Sequence, residues 1–255
     1  MLTKIKALNG FKLDTLDGEI GKVKDFYFDD RYWTIRYLVV ETGSWLMSRQ
    51  VLLSPYALID IDKADRTIAV ELTNHQIEQS PSLDTDKPVS RQWEQDYYGY
   101  FNWPVYWNGP YSWGTYPYVD RNRSEAEEFT STAPGTQKAD HHLRSTEAVS
   151  GYNIHALDGD IGHVEDFILD DETWAIRYFV VNTSNWWSGK KVLVAPQWIE
   201  RVSWLDSKIF VNLSRQTIKE SPAYTDEALL TRDYEIALHG HYSRQGYWID
   251  ELANS

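Results

Sequence analysis

Apolar positions along the chain fall in short runs of strand character, broken every few residues by polar turns. Phe11 to Thr15 is followed by Asp17-Gly18, a pair suited to a tight primed hairpin turn. Beyond it Ile20, Val23, Phe26 and Phe28 carry apolar side chains around Gly21, whose place inside a strand predicts a bulge or a close backbone approach. Asp29-Asp30 reads as a polar turn, and Trp33 to Val40 as a central strand too apolar to be half exposed, with Trp33 in the core. Val51 to Leu53 is a short strand stopped by Pro55. Ala57 to Ile61 and Thr67 to Leu72 are two more, joined by the polar residues 62–66, while Trp45 to Met47 reads as the apolar tip of a turn. Six short strands at such close spacing predict a small antiparallel barrel. Thr73 or Asn74 then caps a helical turn through Gln79, and Pro88 to Tyr98 reads as a helix lying against the barrel, with Ser90 in capping position.

The whole pattern is written twice. Leu16 to Val40 returns as Leu157 to Val181 at a constant offset of 141, and roughly 29 of 72 positions are identical from Gly10/Gly151 to Pro81/Pro222. With the helical tails the repeat runs 10–107 and 151–248 without a gap, and places Trp174 with Trp33, Arg177 with Arg36, and Glu235 with Glu94. The second tail helix is expected over Leu229 to Leu238. Residues 1–9 read as a lead-in to the first strand. The expected organisation is therefore a first barrel with its helical tail at 1–100, an aromatic arm and linker at 101–150, and a second barrel with its tail at 151–255. The fold class is mainly β, two tandem antiparallel barrels. Within the middle segment Tyr97 to Tyr118 is half aromatic and punctuated by Gly and Pro, whereas Asp120 to Ser150 is rich in Ser, Thr, Glu and Ala and reads as a flexible linker.

Composition narrows the function. The 255 residues lack cysteine, which leaves no disulfide, thiolate ligand or cysteine nucleophile. The start MLTKIKALNG has no secretory apolar core and no run of about 18 apolar residues occurs, so a cytoplasmic location is expected. The net charge of −13, with no basic cluster beyond Lys190-Lys191, argues against nucleic acid and against an anionic membrane surface.

Candidate chemistry is sparse. Asp25 with Asp29-Asp30, and Asp166 with Asp170-Asp171, could hold a hard cation or share acid–base work, but aspartates also simply make turns. His239-x-His241 would share a face on a strand, as zinc ligands do, and His141-His142 lies in the linker; none of the seven histidines recurs in the other copy. Arg36 and Arg177, inside the central strands, are expected to pair with Asp25/Asp166 or Glu94/Glu235. The aromatic arm is either an ordered wrapping of the barrel, a sugar- or base-stacking platform, a membrane-interface patch or a protein-binding surface. Its candidate interaction residues are Trp103, Tyr106, Trp107, Tyr111, Trp113, Tyr116 and Tyr118.

The motif L-D-G-x-I-G-x-V-x-D-F, an acidic turn, W-x-I-R-Y-x-V-V, V-L-L-S-P and a closing S-P resembles the PRC-barrel family, named for the cytoplasmic domain of the photosynthetic reaction centre H subunit. Tyr97-Tyr98-Gly99 followed by Trp103 to Trp107 is similar to the tails of bacterial two-copy members. The resemblance implies docking and assembly and carries no catalytic residue. The expectation is thus a non-enzymatic module for protein–protein interaction, without cofactor or metal, that binds a protein partner or itself through barrel edges or the aromatic arm. The alternatives are a ribosome-associated RNA-processing factor and a membrane-peripheral subunit of an electron-transfer complex.

Overall fold

In the computed structural model, residues 1–43, 50–81, 89–119, 142–183, 190–225 and 230–249 are described. The tip at Trp45 to Met47, Pro88, His141 and the linker from Asp120 to residue 141 lie outside them. Among the described residues the chain forms β1 (Leu2–Lys4), α1 (Ile5–Leu8), β2 (Lys12–Thr15), β3 (Gly18–Asp29), β4 (Thr34–Thr42), β5 (Gln50–Leu53), β6 (Leu58–Asp62), β7 (Thr67–Val70), α2 (Asn74–Glu78) and α3 (Arg91–Phe101). There follow β8 (Leu143–Ser145), α4 (Thr146–Val149), β9 (Asn153–Ala156), β10 (Gly159–Asp170), β11 (Ile176–Asn182), β12 (Lys191–Val194), β13 (Ile199–Ser203), β14 (Lys208–Val211), α5 (Arg215–Glu220) and α6 (Arg232–His241).

These strands make two mixed seven-stranded sheets with corresponding orders. One runs β5-β4-β3-β2-β7-β6 with β8 added on β3, and the other β12-β11-β10-β9-β14-β13 with β1 added on β10. All pairs are antiparallel except β2 with β7 and β9 with β14. Asp17-Gly18 makes the expected hairpin, closing Thr15 against Gly18. Gly21 is the close approach the pattern implied: at φ +157, a Cβ there would sit 2.2 Å from the Glu41 carbonyl oxygen, and Gly162 meets the Asn182 carbonyl in the same way. The caps also follow local chemistry. Thr73 and Gln76 form a reciprocal capping box on α2, and Ser90 Oγ accepts from Trp93 N at the start of α3.

The chain divides into two compact units that do not follow chain order. The first unit is Ala7–Thr146 with Glu172–Ala175; the second is Met1–Lys6, Glu147–Asp171 and Ile176–Ser255. Residues 1–9 are therefore more than a lead-in: β1 completes the sheet of the second unit. The last part of the expected linker is likewise ordered, since β8 and α4 occupy Leu143 to Val149. The core of the first unit is Phe26, Phe28, Ile35, Leu38, Leu53 and Ile68 with their neighbours, all buried. In the second unit Phe167, Leu169, Ile176, Phe179, Val194 and Ile209 take the same positions.

Two further expectations need correction. The central strands begin after Trp33 and Trp174, which sit in the preceding turns with φ of +54 and +60. Trp33 is only half-buried, stacked on Phe28 at 5.3 Å, because the left-handed turn swings it off the strand's inner face. Trp174 is buried, as part of the turn incorporated in the first unit, where its carbonyl accepts from Ile35 N. No helix among the described residues is long and apolar enough to cross a membrane.

Candidate functional site

Each sheet carries one bulge that matters more than any turn. In the β3–β4 pairing Tyr27 faces Tyr37 and Phe28 faces Ile35, so Arg36 is the extra residue, unpaired in the ladder. The β10–β11 pairing skips Arg177 in the same way, between Ile168–Tyr178 and Leu169–Ile176. A bulge re-aims the side chain it carries. Here it turns an arginine into the interior: Arg36 is fully buried.

The partner of Arg36 is Asp29, not Asp25 or Glu94. Arg36 Nε donates to Asp29 Oδ2 at 2.5 Å, and Arg177 binds Asp170 Oδ2 through Nε at 3.1 Å and Nη2 at 2.7 Å. Asp29 also caps its own turn, accepting from Arg31 N and Tyr32 N. The rest of the Arg36 guanidinium makes no hydrogen bond and lies against aromatic faces instead, 3.8 Å from the Tyr106 ring centroid and 4.7 Å from that of Trp113. Arg177 stacks on Tyr247 at 3.9 Å.

Glu94, fully buried on α3, is the hub of the first cluster. Its Oε1 accepts from Tyr106 Oη at 2.7 Å and from Tyr37 Oη at 3.1 Å. Its Oε2 lies 2.9 Å from Arg91 Nη1, an ion pair, and 3.2 Å from His142 Nε2, a contact that is an ion pair only when the imidazole is protonated. His142 Nε2 also reaches Tyr106 Oη at 2.8 Å. In the second unit Glu235 Oε1 accepts from Tyr178 Oη at 2.8 Å and Tyr247 Oη at 2.9 Å, and Oε2 pairs with Arg232 at 3.0 Å. The Tyr178 hydroxyl lies between Glu235 and His239 Nε2, with one hydrogen for the two.

Burial is the first cause of every shift in these clusters. It pushes the hydroxyls of Tyr37, Tyr98 and Tyr106 well up, helped at each by the negative Glu94, with Arg36 opposing at Tyr98 and Tyr106. Tyr178 and Tyr247 are raised by burial and then by Glu235. The tyrosines therefore stay protonated and act as donors to the carboxylates. Burial lowers His239, a lowering that its bond to the Gln245 carbonyl opposes and Arg232 reinforces. The Glu94 cluster ties the helix to the central strand and to the aromatic segment through one buried carboxylate.

The remaining sequence candidates are separated by the fold. Asp25 accepts from Ser145 Oγ at 2.5 Å and Thr146 Oγ1 at 2.7 Å, while Asp30 takes Arg144 Nε at 3.0 Å, so Asp25 and Asp30 hold β8 and the start of α4 at three points of contact. Asp166 correspondingly accepts from Lys6 N and Phe167 N. His239 and His241 lie within α6 rather than beyond it. His239 turns inward to Tyr178 and the Gln245 carbonyl, whereas His241 bonds the Thr217 carbonyl. Among the described residues no three His, Asp or Glu side chains are grouped to hold a metal.

The aromatic arm is folded onto the first unit. Tyr106 and Trp113 are buried there, Trp113 Nε1 donating to the Thr173 carbonyl at 2.9 Å and its ring standing edge-on to Tyr56 at 5.2 Å. Trp103 stacks on Phe101 at 4.4 Å and Trp107 lies under Arg91 at 4.2 Å; both are half-buried. Tyr111 and Tyr116 are half-buried in tight turns, bridged to Gly114 and Trp113. Tyr118 alone among the seven candidates is exposed, at 52%. Sequence reasoning missed Tyr37, Tyr178 and Tyr98, and it missed β1 and β8, although Leu2/Leu143 and Ala7/Ala148 keep the offset of 141.

No family model matches the chain. An uncharacterized protein of Deinococcus radiodurans is 34% identical to it over 119 residues, a stretch covering 43% of this chain and 42% of that protein. The chain thus spans less than half the length of this relative.

Proposed function

We propose that the protein is a non-enzymatic assembly module built from two barrels of the PRC type, acting by binding a protein partner or another copy of itself. The observation that carries this reading is the fate of the charged residues. Asp25, Asp29, Arg36 and Glu94, and Asp166, Asp170, Arg177 and Glu235, each hold a strand, a turn or a helix in place, and do so in both repeats. A site for chemistry need not recur in each copy of a fold, but a fastening must. The two corresponding strand orders, each with a helix tied to its central strand, support the pairing of fold and resemblance.

The surfaces available for binding are apolar and repeat-specific. At the β13–β14 turn Leu205 is 96% exposed beside Trp204, where the first repeat has Lys63-Ala64. On the aromatic arm Tyr118 is exposed, and so is Tyr100 on α3. The charge of −13 favours a protein partner over nucleic acid. The test is affinity capture by the full chain from native lysate, with light scattering on the purified protein. A stoichiometric protein partner or a defined oligomer supports the reading. A monomer that captures no protein, or one that retains ribosomal RNA at physiological salt, would overturn it.

A further inference from the structure

The two added strands are docked by the same device. On the second sheet β1 pairs antiparallel with β10, Leu2 facing Asp170, Thr3 facing Leu169 and Lys4 facing Ile168, and the Asp171 amide extends the ladder to the Met1 carbonyl at 3.2 Å. On the first sheet β8 pairs with β3 through Leu143–Asp29, Arg144–Phe28 and Ser145–Tyr27, with the Asp30 amide on the His142 carbonyl at 3.0 Å. A buried aspartate closes each socket at the start of the helical turn that follows. Asp166 Oδ1 accepts from Lys6 N at 3.2 Å, and Asp25 accepts from the Ser145 and Thr146 hydroxyls. At the outer end the Met1 ammonium bonds Asp171 and lies 3.9 Å from Asp170; Arg144 takes Asp30. Side-chain anchoring is modest except at Ile5 and Thr146, both buried.

Neither strand belongs to the repeat it precedes. Met1–Lys6 is part of the second unit while Ala7 begins the first, so the chain changes units inside α1, a helix of four residues. The same happens inside α4, between Thr146 and Glu147. Each sheet is thus completed by a strand from outside its own repeat, over a connection of one helical turn. A strand supplied by another chain would make the same ladder, the same aspartate contact and the same terminal ion pair. The choice between the two sources is set by the effective concentration of the tethered strand and by strain in its tether. Short hinges invite exchange between chains wherever they are strained, and this one has four residues.

We propose that the edge of β10 at Ile168–Asp170, with Asp166 beside it, is a strand-docking site whose second occupant is the Met1–Lys6 segment of another copy of this chain, giving an exchanged dimer. The proposal rests on the assembly reading above and names its partner and surface. Opening the site requires release of only one short segment, while the rest of each unit stays folded.

The experiment uses the full chain and a synthetic peptide, residues 1–8 (MLTKIKAL), free at its amino terminus and fluorescent at its carboxyl end. Light scattering from micromolar to millimolar chain should show a dimer growing with concentration, and excess peptide should dissolve it while its fluorescence anisotropy rises to saturation. A peptide with Lys6→Pro lacks the amide that Asp166 accepts; proline is tolerated in a first helical turn, so its uptake should fall at least about tenfold. A dimer that ignores the peptide would overturn the exchange while leaving assembly through another surface. Peptide uptake by a chain that stays monomeric would rule out the second copy as occupant. Equal uptake of the Lys6→Pro peptide, or a monomer that takes up neither, would overturn the site itself.

Discussion

Replacing Glu94 by alanine tests the hub of the first cluster. The substitution leaves the Tyr106 and Tyr37 hydroxyls without the acceptor they reach at 2.7 and 3.1 Å, and removes the anion that Arg91 and His142 approach. A hydrogen bond to a charged group contributes about 1.5–3 kcal/mol, and the buried donors left behind cost more than the bonds were worth. The losses are not additive, since all share one carboxylate; breaking a buried ion pair costs about 3–5 kcal/mol, which is the magnitude expected here. That is a large part of the roughly 5–15 kcal/mol that holds a domain together. Urea unfolding followed by tryptophan fluorescence should show the loss as a lower midpoint at unchanged slope for the unfolding of the first unit. Glu94→Gln keeps the shape and one acceptor oxygen and should recover part of it. A loss below about 1 kcal/mol for Glu94→Ala would refute the claim that α3 is fastened through this carboxylate.

Gly21→Ala and Gly162→Ala should each cost several kcal/mol or abolish soluble expression, because the new Cβ meets backbone carbonyl oxygen rather than a movable side chain; melting curves decide it. Trp174→Ala should cost about 3–5 kcal/mol and Trp33→Ala clearly less, as one ring is buried and the other half-exposed, and equal losses in calorimetry would contradict the turn geometry. His239 has a depressed native pKa, so the unfolded chain binds more protons in the window below the ordinary value of 6.5. Stability from this group is therefore fully present above that value and falls as the pH drops through the window. Urea midpoints at about pH 7.5 and about pH 5.5 should differ in that direction for the native chain, and the difference should shrink in His239→Gln.

What was legible in the sequence is what local chemistry decides. Asp17-Gly18 fixes a hairpin by its own backbone preferences, Gly21 announces a close approach because no other residue fits, and Thr73 and Ser90 cap the helices that begin beside them. The repeat was visible because an ungapped offset of 141 is read from the sequence itself. The partner of Arg36 was not legible, because it depends on a bulge. Without the skip at Arg36 the alternation of β4 would place that residue in the ladder; the skip presents it to Asp29. The added strands escaped for a different reason. Three residues such as Leu2–Lys4 have no period to detect, and nothing in their composition says that their ladder lies on the sheet of the other repeat.

The differences between the two clusters show how such a core changes. Tyr98 of the first repeat, whose hydroxyl lies 3.2 Å from Ser54 Oγ, becomes His239 in the second, and Ser54 becomes Ala195. With the serine hydroxyl gone, the imidazole finds its acceptor in the Gln245 carbonyl and turns its other nitrogen to Tyr178. The two changes compensate: the second repeat lacks both hydroxyls of the Ser54–Tyr98 pair, so neither is left without the other. The invariant part is the set that the bulge dictates, Asp29, Arg36, Tyr37, Arg91, Glu94 and Tyr106, each of which has the same residue 141 positions on. A buried polar group without a partner costs more than the bond it replaces, so substitutions inside the cluster are tolerated in matched sets. Tyr98→His alone would leave Ser54 Oγ facing a ring with no hydroxyl, and Tyr98→His with Ser54→Ala should recover stability that either change loses by itself.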